Sequence, residues 1–233
     1  WLGGVLAVKN KKITPLLDKQ LSKKRYNYPK KAYKTIKLPS KINVLPSIPD
    51  KNKFIINSIR TQLPGIVTFL KKIKINSKPE NWNDILNKYN LCHLCVIERH
   101  GKNKEYSHGF IENFNLKEGA VASSVGHDAH NLIVAGMNSN DMKYAIKCIK
   151  KFQGGLVIVN EGKLISHVKL PIAGLLSDKR ATEVAKENKI FKRYWNKSGC
   201  SLAYMGFNLL PLSVIPNIRL TNKGLINVNK MKI

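Results

Sequence analysis

The chain has 233 residues, 43% of them hydrophobic, and a formal net charge of +27 from 41 Lys/Arg against 14 Asp/Glu. That length accommodates one large domain or two small ones with a real core. No run approaches the roughly eighteen apolar residues of a transmembrane helix, so no membrane partner is expected. The four cysteines, Cys92, Cys95, Cys148 and Cys200, are too few for a disulfide framework and suit a reducing, cytoplasmic setting. The apolar opening at Trp1 is too short for a signal peptide and lacks a cleavage-site pattern. A start at Trp rather than Met fits a piece of a longer protein.

A strongly basic balance raises nucleic acid or another polyanion as a partner. Its distribution argues the other way. Residues 1–90 hold 20 basic against 4 acidic side chains and residues 91–233 hold 21 against 10, so the excess is spread and is mostly Lys. Nucleic-acid readers gather Arg forks and aromatic platforms into a patch, and neither is visible. The charge reads as solvated surface, with a degenerate basic fragment binding RNA as the alternative.

In chain order, Val5 to Val8 and Ile13 read as a hairpin turning at Lys9–Lys11. Residues 18–41 are Lys-rich, with Pro29 and Pro39, and read as a linker. Ile55 to Arg60 reads as a strand, Leu63-Pro64-Gly65 as a turn, and Ile66 to Leu70 as a second strand or short helix. Trp82, Ile85 and Leu86 are spaced as one face of a helix over Asn81 to Tyr89. Leu91 to Glu98 reads as a strand containing the CxxC pair Cys92 and Cys95. Strand residues three apart face opposite ways, so the pair is read as two small apolar residues rather than a chelate. Arg99-His100-Gly101 turns the chain.

Gly119 to Val125 reads as a buried strand that ends at Gly126 in a polar knot, His127, Asp128, His130 and Asn131. Leu132 to Ala135 then restarts as a strand. Asn138 to Asp141 is an N-cap cluster. Met142, Ala145, Ile146 and Ile149 form the inner stripe of a helix ending before Gly154-Gly155. Leu156–Asn160 and Lys163–Val168 form a hairpin across Glu161-Gly162. Asp178 is read as the cap of a helix to about Trp195 with Ala181, Val184 and Ala185 inward. Tyr204 to Leu212 is a further apolar run, and Thr221–Gly224 is a turn. Hairpin-linked strands with about three helices favour an α+β fold with a largely antiparallel or mixed sheet.

The polar knot is the densest group of metal-capable or proton-capable side chains in the chain. Imidazole and carboxylate suit zinc, manganese or iron, and Asp beside His can fix a tautomer. On a strand the three could not converge; only a turn brings them together. The competing reading is a polar turn whose side chains hydrogen-bond backbone. Ser123 and Ser124 lie near His127, but no nucleophile elbow surrounds them.

Several segments occur in a recognisable order: Glu98-Arg-His-Gly101, Gly119-Ala-Val-Ala-Ser-Ser-Val-Gly-His-Asp-Ala-His-Asn131, Gly154-Gly-Leu-Val157, Leu170-Pro-Ile-Ala-Gly-Leu-Leu-Ser177, Val214-Ile-Pro216 and Leu220-Thr-Asn-Lys-Gly-Leu225. Together they resemble the C-terminal region of bacterial and archaeal adenine deaminases over about 91–233. The resemblance is looser over 42–90, where Ser58-Ile-Arg60 and Pro64-Gly-Ile-Val-Thr68 are the anchors. Residues 5–13 resemble the last strand pair of the small β-domain that flanks the family's catalytic barrel. The implied organisation is 1–17 as a β-domain remnant, 18–41 as a Lys-rich linker and 42–233 as the C-terminal α+β domain.

The resemblance implies hydrolysis of adenine to hypoxanthine and ammonia, in adenine catabolism and purine salvage, by an amidohydrolase-superfamily enzyme. Two divalent metals, manganese or iron, would activate the water. The family's ligands lie in an N-terminal barrel of about 250 residues and begin with an HxH pair. This sequence has no HxH; His127 and His130 form only an HxxH. No catalytic residue or metal ligand is therefore carried over. The chain is expected to be inactive without a barrel in cis or on a partner chain, and a homo-oligomer is compatible. His127, Asp128, His130 and Asn131 are expected to shape the adenine pocket of the whole enzyme.

Overall fold

A computed structural model describes residues 8–10, 12–13, 28–62 and 67–233. The chain divides into two compact units, residues 1–30 and 31–233. In the first, β1 (Val8–Lys9) pairs antiparallel with β2 (Lys12–Ile13), with Asn10 in the left-handed region at the reversal. Val5 to Ala7 and residues 18–27 of the Lys-rich segment lie outside the described residues.

The second unit is built on one eight-stranded sheet. Its strands are β3 (Phe54–Thr61), β4 (Thr68–Ile75), β5 (Leu91–Ile97), β6 (Tyr106–Glu112), β7 (Ala120–Gly126), β8 (Asn131–Gly136), β9 (Gly155–Asn160) and β10 (Lys163–Lys169). The order across the sheet is β10-β9-β7-β8-β5-β6-β3-β4. Every neighbouring pair is antiparallel except β3 with β6. This is the expected α+β class with a mixed sheet. The parallel pair is tied by Arg60, whose Nε and Nη2 donate to the Glu112 carboxylate at 2.6 and 2.8 Å. The Leu63-Pro64-Gly65 turn lies outside the described residues.

Both faces of the central strands are covered, which explains their near-continuous apolar runs, broken only by buried polar residues such as His93, Ser123 and Ser124. On one face, Met142, Ala145 and Ile149 of α2 (Ser139–Phe152) pack on Cys95, Ala122 and Val134. On the other, Phe191 and Trp195 of α3 (Ala181–Lys197), Phe207 of α4 (Tyr204–Asn208) and Leu220 of β11 (Ile218–Thr221) pack on Cys92, Leu94 and Ile133. Each large apolar side chain among these, such as Met142, Ile149, Leu94 or Phe207, contributes about 1.5–3 kcal/mol by leaving water. Cys92 and Cys95 thus fall on opposite faces, as strand alternation requires. Burial pushes the Cys92 thiol up and the Cys95 thiol up to about 12, so both stay protonated.

The helix α1 (Trp82–Tyr89) forms where the spacing predicts it, buries Trp82, Ile85 and Leu86, and is capped by Asn81, whose side chain accepts from Asn83 N at 2.8 Å. The expected inner face of α3 is met only at Val184, which packs half-buried against the core. Ala181 and Ala185 are exposed and the buried residues are Phe191 and Trp195, two turns further along. The N-cap is Arg180, not Asp178, and the Glu183 carboxylate accepts the Arg180 N–H at 3.1 Å. The strand β6 was not legible as one. Residues 31–41, at the end of the Lys-rich segment, belong to the second unit. Ile36 is buried, Lys37 N donates to Arg99 O at 2.8 Å, and Ala173 N donates to Ala32 O at 2.7 Å.

Candidate functional site

The polar knot is the turn joining β7 to β8. In this pairing Ser123 faces Ile133, while Gly126 faces Asn131, so β7 carries one extra residue. Such a bulge bends a strand and re-aims the side chains beyond it. Gly126 is required by closeness: a Cβ there would sit 2.7 Å from the Asn131 carbonyl oxygen. His130 then takes the left-handed conformation at φ 53° and closes the turn.

The backbone of this turn is gripped from three sides. His127 N donates to Asn208 O at 2.8 Å. His100 Nε2 lies 2.9 Å from Ala129 O, and since a carbonyl only accepts, Nε2 carries the proton. Arg99 donates through Nε to His130 O and through Nη2 to Ala173 O at 3.1 Å. Arg99 is 1% exposed and, among the described residues, has no ion-paired carboxylate. Burial lowers its pKa to about 10, with Glu98 acting the other way, so it stays charged. Gly174, at φ +72°, makes room for it: a Cβ there would meet Arg99 Nη1 at 2.7 Å.

The turn before Arg99 is fixed by Glu98, whose carboxylate accepts from the backbone N–H of His100, of Lys102 at 3.0 Å and of Asn103 at 3.4 Å. Burial opposes its ionisation, but these donors together hold it below the usual carboxylate range. The Glu-Arg-His-Gly segment is thus the support of the knot, a role the sequence reading missed. The available signal was the charged pair Glu98-Arg99 directly after the mostly apolar run Leu91–Ile97, where charge is tolerated only if it is used.

With the backbone held by others, the side chains of the knot are largely free. Among the described residues no hydrogen bond or ion pair reaches the His127 ring or the Asp128 carboxylate. His130 Nδ1 lies 3.3 Å from Val125 O. Asn131 Nδ2 donates to Asn222 Oδ1 at 2.9 Å, while the buried Asn131 Oδ1 has no partner. The reading in which these side chains are consumed by backbone is therefore corrected for His127 and Asp128. The four expected residues do come together, through the turn. The His127 and His130 rings stand 5.5 Å apart, centroid to centroid, and near edge-to-face.

His127, Asp128 and Asn131 border a cleft of about 210 Å³. Its far side is Pro211, Ser213 and the hairpin of β11 with β12 (Gly224–Asn227), including Thr221, Asn222 and Lys223. Arg219 holds that wall in place. It is fully buried and donates to Ile215 O at 2.8 Å, Leu209 O at 3.1 Å and Pro216 O at 3.0 Å. Ser124, near the knot, is not a nucleophile candidate: it is fully buried, and its Oγ donates to Gly174 O at 2.6 Å and accepts from Gly155 N at 2.8 Å. A wider hollow of about 700 Å³ lies elsewhere, lined by residues that include the N-cap Asn138 and the first-turn Asn140 of α2.

Residues 66–232 match the family model described as the adenine deaminase C-terminal domain. The chain is 54% identical over 235 residues to the adenine deaminase of Chelativorans sp. (strain BNC1) and 51% identical over 234 residues to that of Bradyrhizobium sp. (strain BTAi1 / ATCC BAA-1182). All of this chain is covered in both, but only 38% of each relative. An adenine deaminase of Clostridium botulinum (strain Langeland / NCTC 10281 / Type F) is 34% identical over 215 residues, covering 89% of this chain and 35% of its own length. The chain thus spans little more than a third of the curated relatives it matches.

Proposed function

Because this chain belongs to the family of adenine deaminase C-terminal domains, we propose that it completes the pocket in which an adenine deaminase converts adenine and water to hypoxanthine and ammonia. The observation that carries this reading is the β7–β8 turn. Its backbone is clamped by Arg99, His100 and Asn208, while the His127 ring and the Asp128 carboxylate, on an open cleft, have no hydrogen bond or ion pair among the described residues. Polar side chains held rigidly and left unsatisfied are what a binding site needs before its ligand arrives. In this reading His127, Asp128, His130 and Asn131 shape the adenine pocket.

The chemistry itself belongs to the part of the relatives that this chain does not span. The metal pair that the family resemblance implies, manganese or iron, does not fit on these residues. The six histidines of the sequence include no HxH pair, so no step is routed through such a pair here. The barrel is supplied in cis or by a partner chain, with residues 1–17 as the end of its flanking β-domain and 42–233 as the C-terminal domain. A homo-oligomer is part of this proposal.

Four buried, unpaired cysteines support a reducing, cytoplasmic setting, and among the described residues no helix is long and apolar enough to cross a membrane. Adenine catabolism and purine salvage are the implied setting. The test is kinetic: the chain replaces the equivalent region of the Chelativorans enzyme, and deamination is compared with and without His127→Ala and His130→Ala.

A further inference from the structure

One ligand atom from each of His127, Asp128 and His130 lies within 4.8 Å of the other two. Among the described residues this is the one cluster of three such side chains within ligating reach. We infer that these three residues hold a single divalent first-row transition ion, of the zinc, iron or manganese class. The inference departs from the sequence expectation that the chain carries no metal ligand. That expectation came from the missing HxH pair of the family's barrel, whereas these residues converge through a turn.

Four observations carry it. The donor set is two imidazole nitrogens and one carboxylate oxygen, which suits borderline transition ions better than the all-oxygen shells of calcium or magnesium. Second, His130 Nδ1 faces the Val125 carbonyl. A carbonyl selects the Nδ1–H tautomer and leaves the lone pair on Nε2, the arrangement by which metal-bound histidines are commonly oriented. Third, the turn's backbone is fixed independently by Arg99, His100 and Asn208, so ligand placement does not depend on an ion. Fourth, among the described residues the Asp128 carboxylate and the His127 ring have no competing hydrogen bond or ion pair, even though Lys223 borders the same cleft.

Magnitudes set the character of the site. A tetrahedral ion with bonds of about 2.1 Å places its ligand atoms roughly 3.4 Å apart, so side-chain adjustments of order 1 Å close it. Lys223 and the buried Arg99 oppose a cation, and one carboxylate offsets only part of a divalent charge. Three protein ligands leave at least one coordination position open for water or another ligand. The site is thus suited to an exchangeable ion rather than to a closed structural one.

The test uses the intact chain, stripped with a chelator and titrated with Co²⁺, read by visible d–d absorption. One Co²⁺ per chain is expected, displaced by Zn²⁺. His127→Gln and Asp128→Asn, both at solvent-reachable positions, each weaken binding about tenfold or more, with unchanged far-UV circular dichroism and metal-free Tm. A folded wild-type chain with no d–d band at saturating Co²⁺ overturns the inference. So does a band that the His127→Gln/Asp128→Asn double variant retains with unchanged affinity. The binding readout is independent of deamination, so its outcome does not stand or fall with the pocket proposal.

Discussion

His93 shows how one side chain sets a pH dependence for the fold. It is 1% exposed, lies against Trp82 and Phe110, and neither ring nitrogen has a partner. Burial first, and the charge of His108 second, lower its pKa from 6.5 to about 4. Between those values the unfolded chain binds the extra proton. Stability is therefore full above about pH 6.5 and falls as pH drops toward 4, by up to about 3 kcal/mol. Thermal melts over that range should show this slope, and His93→Leu should flatten it. Arg99 makes a second case at this scale. Arg99→Met removes the donor from the half-buried carbonyls of His130 and Ala173, at about 0.5–1.5 kcal/mol each. Urea unfolding should report that loss, and His127 should shift in NMR spectra as the turn loosens. An unchanged midpoint would show that the clamp is dispensable. Gly174→Ala should mimic it, since the new Cβ meets the guanidinium and the backbone is left-handed.

At the scale of elements, what the sequence revealed depends on periodicity. The strands β5, β7, β8 and β9 are apolar runs bounded by breakers, and α1 and α2 carry clean apolar stripes, so all were legible. Asn138 caps α2 as its position suggests, accepting from Asp141 N at 2.8 Å, and Asp141 in turn accepts from Gly162 N at 2.7 Å. Asn138→Ala should cost about 1 kcal/mol, read as a lowered Tm. The strand β6 hid because Tyr106, Ser107, His108 and Gly109 are only half-buried and break the alternation; neighbours β5 and β3 make it a strand. The face of α3 was legible only at Val184, because the small alanines beside it match a helical stripe while the buried contacts lie two turns on, at Phe191 and Trp195. The knot's membership was legible, but its convergence was not. Convergence needs the bulge at Ser123–Gly126, and its supports, Arg99 and Asn208, are distant in sequence.

At the scale of the molecule, the +27 charge accompanies a fold whose basic residues stay largely at the surface, apart from the buried Arg99 and Arg219. Those two use their charge on loop carbonyls around one cleft, which links the placement of buried charge to the candidate site. The central claim is that this cleft, with the β7–β8 turn on its rim, forms part of an adenine pocket once the remainder of the enzyme is present. The direct measurement is the kcat/KM for adenine of the Chelativorans enzyme carrying this chain in place of its own matching region. The graft is predicted to deaminate adenine. His127→Ala/His130→Ala in the graft is predicted to lower kcat/KM by about tenfold or more while Tm stays unchanged. A doubly substituted graft with unaltered kcat/KM and unaltered Tm would contradict the claim.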